Sequence, residues 1–130
     1  MKTLVVEDHY ITAQLMKEIL KSYGKCETAE NGEVALDIFK KALMTNEHFN
    51  VIFLDIMMPG MNGKEVLEKI RQLEEEYGLS GLDGVKIIMT TAMDDANTIL
   101  SAFKSQCDGY IVKPISRQII ADKLKELNLI

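Results

Sequence analysis

Short apolar runs alternate with longer amphipathic segments along the whole of this 130-residue chain. Runs such as VIFL and VKIIM are apolar almost throughout, as expected of parallel strands whose two faces are both covered. Parallel neighbours need a crossover between them, and the intervening segments repeat apolar residues at the helical period. The alternation therefore predicts an α/β fold built from five strand–helix pairs.

Crossovers between parallel strands of one sheet are right-handed, which limits the possible arrangements. Helices on both faces give a doubly wound (βα)5 sandwich, for which the flavodoxin-like parallel sheet of order 2-1-3-4-5 is the natural candidate. Strands are predicted at residues 2–7, 25–29, 51–55, 85–90 and 109–112. Five helices are predicted from apolar residues at helical spacing: Ile11, Leu15, Ile19 and Tyr23; Val34, Ile38 and Ala42; Val66, Ile70, Leu73 and Tyr77; Ile99, Leu100 and Phe103; and Ile119, Ile120, Leu124 and Leu127.

Length and charge indicate a single domain that binds neither nucleic acid nor membrane, since the net charge is -5. No apolar stretch approaches the ~20 residues of a membrane helix, and MKTLVVED does not resemble a signal peptide. Cys26 and Cys107 are expected to be buried reduced thiols, which favours a cytoplasmic protein. His9 and His48 are isolated, so no transition-metal site is expected. The acidic start of residues 74–84 is expected only to solvate the end of the third helix.

Charged or hydroxyl side chains stand at the ends of four predicted strands: Glu7 and Asp8, Asp55, Thr90 and Thr91, and Lys113. Ligands of open α/β sheets bind beyond the carboxyl ends of the strands, where the winding direction reverses. Because strands one and three are neighbours in the predicted order, the three carboxylates should meet there. Such a cluster can stay ionised beside a hard cation, and carboxylate, carbonyl and water oxygens are the ligands that Mg²⁺ prefers.

A carboxylate surrounded by a cation, a lysine and a hydroxyl is suited to phosphoryl transfer onto aspartate. Asp55 would accept the phosphoryl group, while Lys113 and a threonine hydroxyl would hold its oxygens. Taken alone, each residue has an ordinary structural explanation: Asp8 could be a helix N-cap, and Lys-Pro is common in turns. The functional interpretation depends on their convergence at one edge of the sheet.

Four blocks of the sequence carry a family likeness: VVED, LDIMMPGMNG, MTTA and GYIVKPI. In this order and spacing they resemble the receiver domain of two-component response regulators, most closely the stand-alone, chemotaxis-type regulators. The resemblance covers residues 1–130 and implies one receiver domain. It further implies a phosphoacceptor switch whose only chemistry is its own phosphorylation and dephosphorylation, and not otherwise an enzyme.

The resemblance implies a role for each acidic residue of the predicted site. Asp55 would be the phosphoacceptor. Asp8 would bind Mg²⁺ directly, Glu7 would bind it through a water, and the backbone carbonyl of Met57 would complete the protein ligands. Mn²⁺ can substitute for Mg²⁺ among oxygen ligands of this kind. Glu7 stands where the family more often has aspartate, which lengthens its reach to the metal.

The resemblance also implies the residues that hold the phosphoryl group and respond to it. Thr91 resembles the switch hydroxyl, and the small Ala92 leaves room for the phosphoryl group. Lys113 resembles the phosphate-binding lysine, with a cis bond to Pro114 as in the family. Tyr110 resembles the switch aromatic; the alternative is an ordinary aromatic of the sheet.

Two methionines, Met57 and Met93, occupy positions where the family often has polar residues flanking the attacking water. Neither side chain can orient that water by a strong hydrogen bond. The phosphorylated state is therefore expected to last longer than in chemotaxis-type relatives with polar groups at these positions.

The implied phosphodonor is a sensor histidine kinase or a phosphotransfer protein, and the output is binding of a downstream protein, by a monomer or by a phosphorylation-dependent dimer. The implied output surface is formed by the fourth predicted helix, the fifth strand and the fifth predicted helix. It would include Ile99, Phe103, Lys104, Tyr110, Ile115 and Ile119.

Two other functions are compatible with parts of this pattern. A Mg²⁺-dependent phosphohydrolase with an aspartyl-phosphate intermediate would use the same groups. Such hydrolases usually place a second acid two residues after the nucleophile, where this chain has Met57. A flavodoxin-like nucleotide binder would need a glycine-rich loop after the first strand, where the chain reads EDHYITAQ.

Overall fold

The computed structural model describes residues 1–79, 83–92, 97, 101 and 106–130. Its strands are β1 (Lys2–Val6), β2 (Lys25–Ala29), β3 (Val51–Asp55), β4 (Lys86–Thr91) and β5 (Gly109–Val112). They form one parallel sheet of order β2-β1-β3-β4-β5, which confirms the predicted order. The described helices are α1 (Tyr10–Leu20), followed by a 3-10 turn at Lys21–Tyr23, then α2 (Gly32–Met44), α3 (Gly63–Glu76) and α4 (Arg117–Glu126), which is the fifth helix of the prediction.

The predicted strand boundaries agree with the structure to within one residue. β1 ends at Val6 rather than at Glu7, and β4 is displaced by one residue towards the carboxyl terminus. The predicted helix through Ile99, Leu100 and Phe103 lies outside the described residues.

Helices cover both faces of the sheet, and side chains alternate between the two faces along each strand. In β3, Ile52 and Leu54 pack with α2 and α3, whereas Val51 and Phe53 pack with α1 and α4. None of these four residues is more than 1% exposed. The central strand therefore has no solvent face, which is why VIFL is apolar without alternation.

The first predicted helix is present, but its predicted apolar stripe does not all face the core. Ile11 is 71% exposed and Leu15 is 49% exposed, whereas Ala13 and Met16 are buried. The helix carries two overlapping apolar stripes, and only the one through Ala13, Met16 and Ile19 packs on the sheet. Helical periodicity alone does not say which of two such stripes is buried.

The acidic residues at the start of segment 74–84 were predicted only to solvate the end of the third helix. That prediction is wrong for Glu74, which is buried and 3% exposed. Arg71 Nη1 lies 2.6 Å from Glu74 Oε1 and also donates to the carbonyl of Val85 at 2.8 Å. The other carboxylate oxygen of Glu74 accepts the backbone N–H of Val85. The pair thus ties the end of α3 to the start of β4.

The helices that the structure describes are short. The longest, α3, has 14 residues, fewer than the ~20 that cross a hydrocarbon core. Within the described part of the chain, no helix combines the length and the apolar character that a bilayer span requires.

Candidate functional site

The loop after β3 turns the chain sharply so that α3 starts beside Asp55. Asn62 is the N-cap of α3, and its side chain accepts the N–H of Glu65 at 3.0 Å. Gly63 follows, and a Cβ there would collide with the backbone of Asp55 and Ile56. The glycine is therefore required by the close approach of helix to strand, which explains the Asn-Gly that follows the aspartate.

The carboxyl ends of the strands form a cleft at the predicted edge of the sheet. Register places Val6 opposite Leu54 and Asp55 opposite Thr90, so the residues after β1 and the end of β3 lie side by side. Among the described residues, those that line this cleft are Glu7, Asp8, His9, Thr12, Asp55, Met57, Ala92 and Lys113.

Lys113 lies beside Asp55, the expected neighbour, and also contacts Glu7, which the sequence did not indicate. Its Nζ is 2.9 Å from Glu7 Oε1 and 3.3 Å from Asp55 Oδ2. Its backbone N–H donates to the carbonyl of Thr91 at 2.7 Å, which fixes the residue at the end of β5. Burial lowers the pKa of Lys113, but the bonds to Glu7 and Asp55 outweigh burial and hold it above its ordinary value. The lysine is therefore a fixed positive charge beside Asp55.

Glu7 is a buried acid in an unfavourable environment. It is 3% exposed, and its Oε2 has no hydrogen-bond partner among the described residues. Burial, followed by the neighbouring Asp55 carboxyl group, raises the pKa of Glu7 to about 7, although Lys113 acts in the opposite direction. A buried oxygen left without a partner indicates that the site can accept a further group.

The three carboxylates fit a hard divalent cation. Glu7, Asp8 and Asp55 each offer an oxygen, and these atoms lie within 4.8 Å of one another. The alternative of Asp8 as a helix cap is wrong, because His9 caps α1 by accepting the N–H of Thr12. An all-oxygen donor set with an unpaired buried oxygen matches what Mg²⁺ requires of a protein.

The predicted switch and phosphate-binding residues do not all lie in the cleft. Thr91 is buried at the end of β4, one residue beyond the partner of Asp55, and pairs with Val112. Ala92 lines the cleft, and the bond between Lys113 and Pro114 is cis, as the resemblance implied. Tyr110 is not in the cleft: it is half-buried in β5 and packs against the core on the α2 and α3 side.

A family model described as a response regulator receiver domain matches residues 3–125. The chain belongs to this family. The receiver domain is 33% identical over 129 residues to a chemotaxis protein CheY homolog of Campylobacter jejuni, covering 98% of this chain and 92% of that protein. It is 35% identical over 125 residues to the hybrid signal transduction histidine kinase L of Dictyostelium discoideum, covering 96% of this chain but 7% of that protein.

A solved structure agrees with the fold of this receiver domain. It is a co-crystal structure of the Saccharomyces cerevisiae histidine phosphotransfer signaling protein Ypd1 and the receiver domain of its downstream response regulator Ssk1. The similarity has a TM-score of 0.84 and 26% identity, and covers 97% of this chain and 90% of that chain.

Two groups of residues were missed by sequence reasoning. His9 and Thr12 line the cleft of the receiver domain through the first turn of α1, and only the helix start at this point could have indicated them. Arg71 also joins two carboxylates, since its Nη2 is 2.9 Å from Asp108 Oδ2 while its Nη1 pairs with Glu74. The i,i+3 spacing of Arg71 and Glu74 on α3 was the sequence signal that could have indicated their ion pair.

The two cysteines differ in exposure, and both thiols are free. Cys107 is buried as predicted, whereas Cys26 on the edge strand β2 is only partly buried. Burial raises the pKa of both thiols to about 11, so both are protonated near neutral pH. Neither belongs to the cleft.

Proposed function

We propose that residues 1–130 form a single cytoplasmic receiver domain in which Asp55 accepts a phosphoryl group from a histidine kinase or a phosphotransfer protein. The observation that carries the proposal is the position of Asp55, at the end of a fully buried strand with Lys113 Nζ 3.3 Å from Oδ2. Glu7 and Asp8 lie within a cation's span of the same carboxylate.

The chemistry assigned to Asp55 is an in-line displacement at phosphorus. One oxygen of its ionised carboxylate forms a bond to phosphorus while the bond from phosphorus to the donor nitrogen breaks, and the imidazole leaves. The N–H of Met57 donates to Asp55 Oδ1 at 3.1 Å and Lys113 binds Oδ2, so both oxygens are held in fixed directions. Positioning and charge compensation of this kind account for most catalysis of phosphoryl transfer.

A divalent cation would be held by the carboxylates of Asp8 and Asp55, by the backbone carbonyl of Met57 and, through water, by Glu7. When bound, Mg²⁺ supplies positive charge that offsets the negative charge on the phosphoryl oxygens. Glu7 contributes the unpaired buried oxygen, and its raised pKa reflects how unfavourable its charge is without a further cation. Magnesium binding at neutral pH would therefore displace a proton from Glu7.

The exposed apolar stripe of α1 suits docking of the phosphodonor. Tyr10, Ile11 and Leu15 are all strongly exposed, and α1 begins directly after Asp8 and His9 in the cleft. Large apolar side chains that remain in water commonly mark a protein interface. A protein that covers this stripe would bring its own histidine to the mouth of the cleft.

Phosphorylation would be sensed at Thr91 and Tyr110. A phosphoryl group on Asp55 adds charge and acceptor oxygens, so a nearby hydroxyl gains a charge-assisted hydrogen bond by moving towards it. In the proposed switch, movement of Thr91 changes the space available to the Tyr110 side chain. Lys123 Nζ lies over the Tyr110 ring, 5.8 Å from its centroid, so movement of the ring would also alter this contact with α4. The output is a shift between two conformations of the surface around β5.

The proposed output surface combines β5, α4 and the segment between β4 and β5. Ile119 on α4 is partly exposed and available to a partner, whereas Ile115 is buried. Ile99, Phe103 and Lys104 of the same prediction lie outside the described residues.

Acetyl phosphate separates the switch from the hydrolase. The protein is incubated with Mg²⁺ and labelled acetyl phosphate, beside an Asp55→Asn variant and an EDTA control. A switch takes up about one acid-stable, base-labile phosphoryl group per chain, and neither control is labelled. Multiple turnover of phosphoester substrates would instead support the hydrolase, and equal labelling of the Asp55→Asn variant would contradict both.

A further inference from the structure

Met57 presents its thioether to solvent inside the cleft that holds the proposed phosphoacceptor. The residue is 62% exposed and lines the cleft together with Asp55 and Lys113. Its N–H donates to Asp55 Oδ1 at 3.1 Å, so its backbone is held against that carboxylate. Core packing does not account for an apolar side chain in this position.

The other methionines of this edge are better protected. Met58 and Met89 are buried, and Met61 is half-buried. Met44 is 65% exposed but ends α2 at the opposite edge of the sheet, before β3 begins. Among the described residues, Met57 is the most exposed methionine at the carboxyl edge of the sheet. Since exposed methionines are oxidised most readily, Met57 is the methionine of this edge that an oxidant should reach first. Met44 is a matched control of similar exposure.

We propose that Met57 is an oxidative modification site that sets the lifetime of the phosphorylated receiver domain, an inference that depends on the function proposed for Asp55. The oxidant is a hydroperoxide. A sulfur lone pair forms the S–O bond as the O–O bond breaks, and the proton of the transferred oxygen passes to the leaving oxygen, which departs as alcohol or water. Sulfur is oxidised by two electrons and the peroxide is reduced by two. Sulfoxide reductases reverse the modification.

Oxidation changes the hydrogen bonding of the cleft. A thioether sulfur is a weak acceptor, whereas methionine sulfoxide is polar and carries an accepting oxygen. Hydrolysis of an aspartyl phosphate needs a water held in line with the bond that breaks. A sulfoxide at Met57 can hold that water, and one ordinary net hydrogen bond corresponds to about a two- to tenfold change in rate.

The test compares the wild type with Met57→Leu, Met57→Gln and Met44→Leu. Each protein is treated with hydrogen peroxide or buffer, cleared with catalase, phosphorylated with acetyl phosphate and Mg²⁺, and moved to donor-free buffer. Decay of the acyl phosphate is then followed. Peptide mass spectrometry reports the sulfoxide fraction at every methionine, including Met93, which lies outside the described residues.

Peroxide should place sulfoxide on Met57 and accelerate decay about two- to tenfold in the wild type and in Met44→Leu. It should leave decay unchanged in Met57→Leu, and Met57→Gln should decay fast without peroxide. Unchanged decay in the oxidised wild type, or equal acceleration in Met57→Leu, would overturn the inference while leaving Asp55 as phosphoacceptor. Untreated protein that takes up no phosphoryl group would overturn the proposed function itself and the inference with it.

Discussion

Replacing Glu7 by glutamine should remove a pH-dependent loss of stability from the metal-free protein. Glu7 is buried, with Oε1 2.9 Å from Lys113 Nζ and Oε2 unpaired among the described residues. Burial first, and then the neighbouring Asp55, raise its pKa from 4.5 to about 7. Glutamine has nearly the same shape but no charge to bury, so Glu7→Gln isolates the effect of the charge.

The sign and size of the effect follow from the two pKa values of Glu7. The folded protein holds the Glu7 proton more tightly than the unfolded chain does, so this group stabilises the fold fully below pH 4.5. That contribution declines as the pH rises and is lost once the pH passes the folded pKa of about 7. One pKa unit corresponds to about 1.36 kcal/mol, so the loss in unfolding free energy is about 3 kcal/mol.

Urea unfolding in EDTA, repeated across this pH window, measures the effect for the wild type and for Glu7→Gln. The unfolding free energy of the wild type should fall relative to that of the variant by most of about 3 kcal/mol between about pH 5 and pH 8. Glu30→Gln is the control for loss of one negative charge, because Glu30 is an exposed carboxylate after the neighbouring strand. This control should follow the wild type at every pH.

Magnesium provides a second arm of the same experiment. A cation that binds the ionised carboxylates stabilises the folded state by mass action, so saturating Mg²⁺ should restore wild-type stability at about pH 8 more than it stabilises Glu7→Gln. Parallel pH profiles for the wild type and Glu7→Gln in EDTA would refute the reasoning. They would mean that the Glu7 carboxylate is adequately solvated or paired in the folded protein.

Three further changes test other parts of the structure. Lys113→Ala removes the cation beside Asp55 and should slow acyl phosphate formation from acetyl phosphate by about tenfold or more, measured as an initial rate. Arg71→Ala leaves the Glu74 carboxylate buried without its partner and should lower the unfolding free energy by about 3–5 kcal/mol in urea, with partial recovery in Arg71→Lys. The double variant Met57→Asn, Met93→Glu should lose its phosphoryl group in Mg²⁺ at least several-fold faster than the wild type, because polar side chains can orient the attacking water. Slower decay in the double variant would contradict the assignment of positions 57 and 93 as neighbours of that water.

The sheet could be predicted because burial on both faces leaves a simple signature. Strands such as VIFL are apolar without alternation, and a five-stranded doubly wound sheet has a common strand order that served as the candidate. The polar residues that interrupt these runs lie at one edge in the structure, so Asp55 and Lys113 could be paired before any coordinates were known. The predicted and observed ends of β1 differ by one residue at Glu7, whose N–H still donates to the carbonyl of Ala29 on the neighbouring strand.

Features that depend on three-dimensional packing could not be predicted. The buried stripe of α1 depends on how the helix rotates against the sheet, and Ile11 proved to be exposed. The burial of Glu74 depends on Arg71 and on the backbone of Val85, which is eleven residues away. The raised pKa of Glu7 depends on its depth beside Asp55. The sequence identifies the charged residues, but it does not show which of them are buried.

Locating the phosphoryl group in the chain tests the central claim most directly. After incubation with acetyl phosphate and Mg²⁺, borohydride reduction converts an aspartyl phosphate to homoserine, which peptide mass spectrometry then assigns to a position. The account predicts homoserine at position 55 alone, and none in EDTA or in Asp55→Asn. Homoserine at position 8 instead, or labelling at position 55 that does not depend on magnesium, would contradict it.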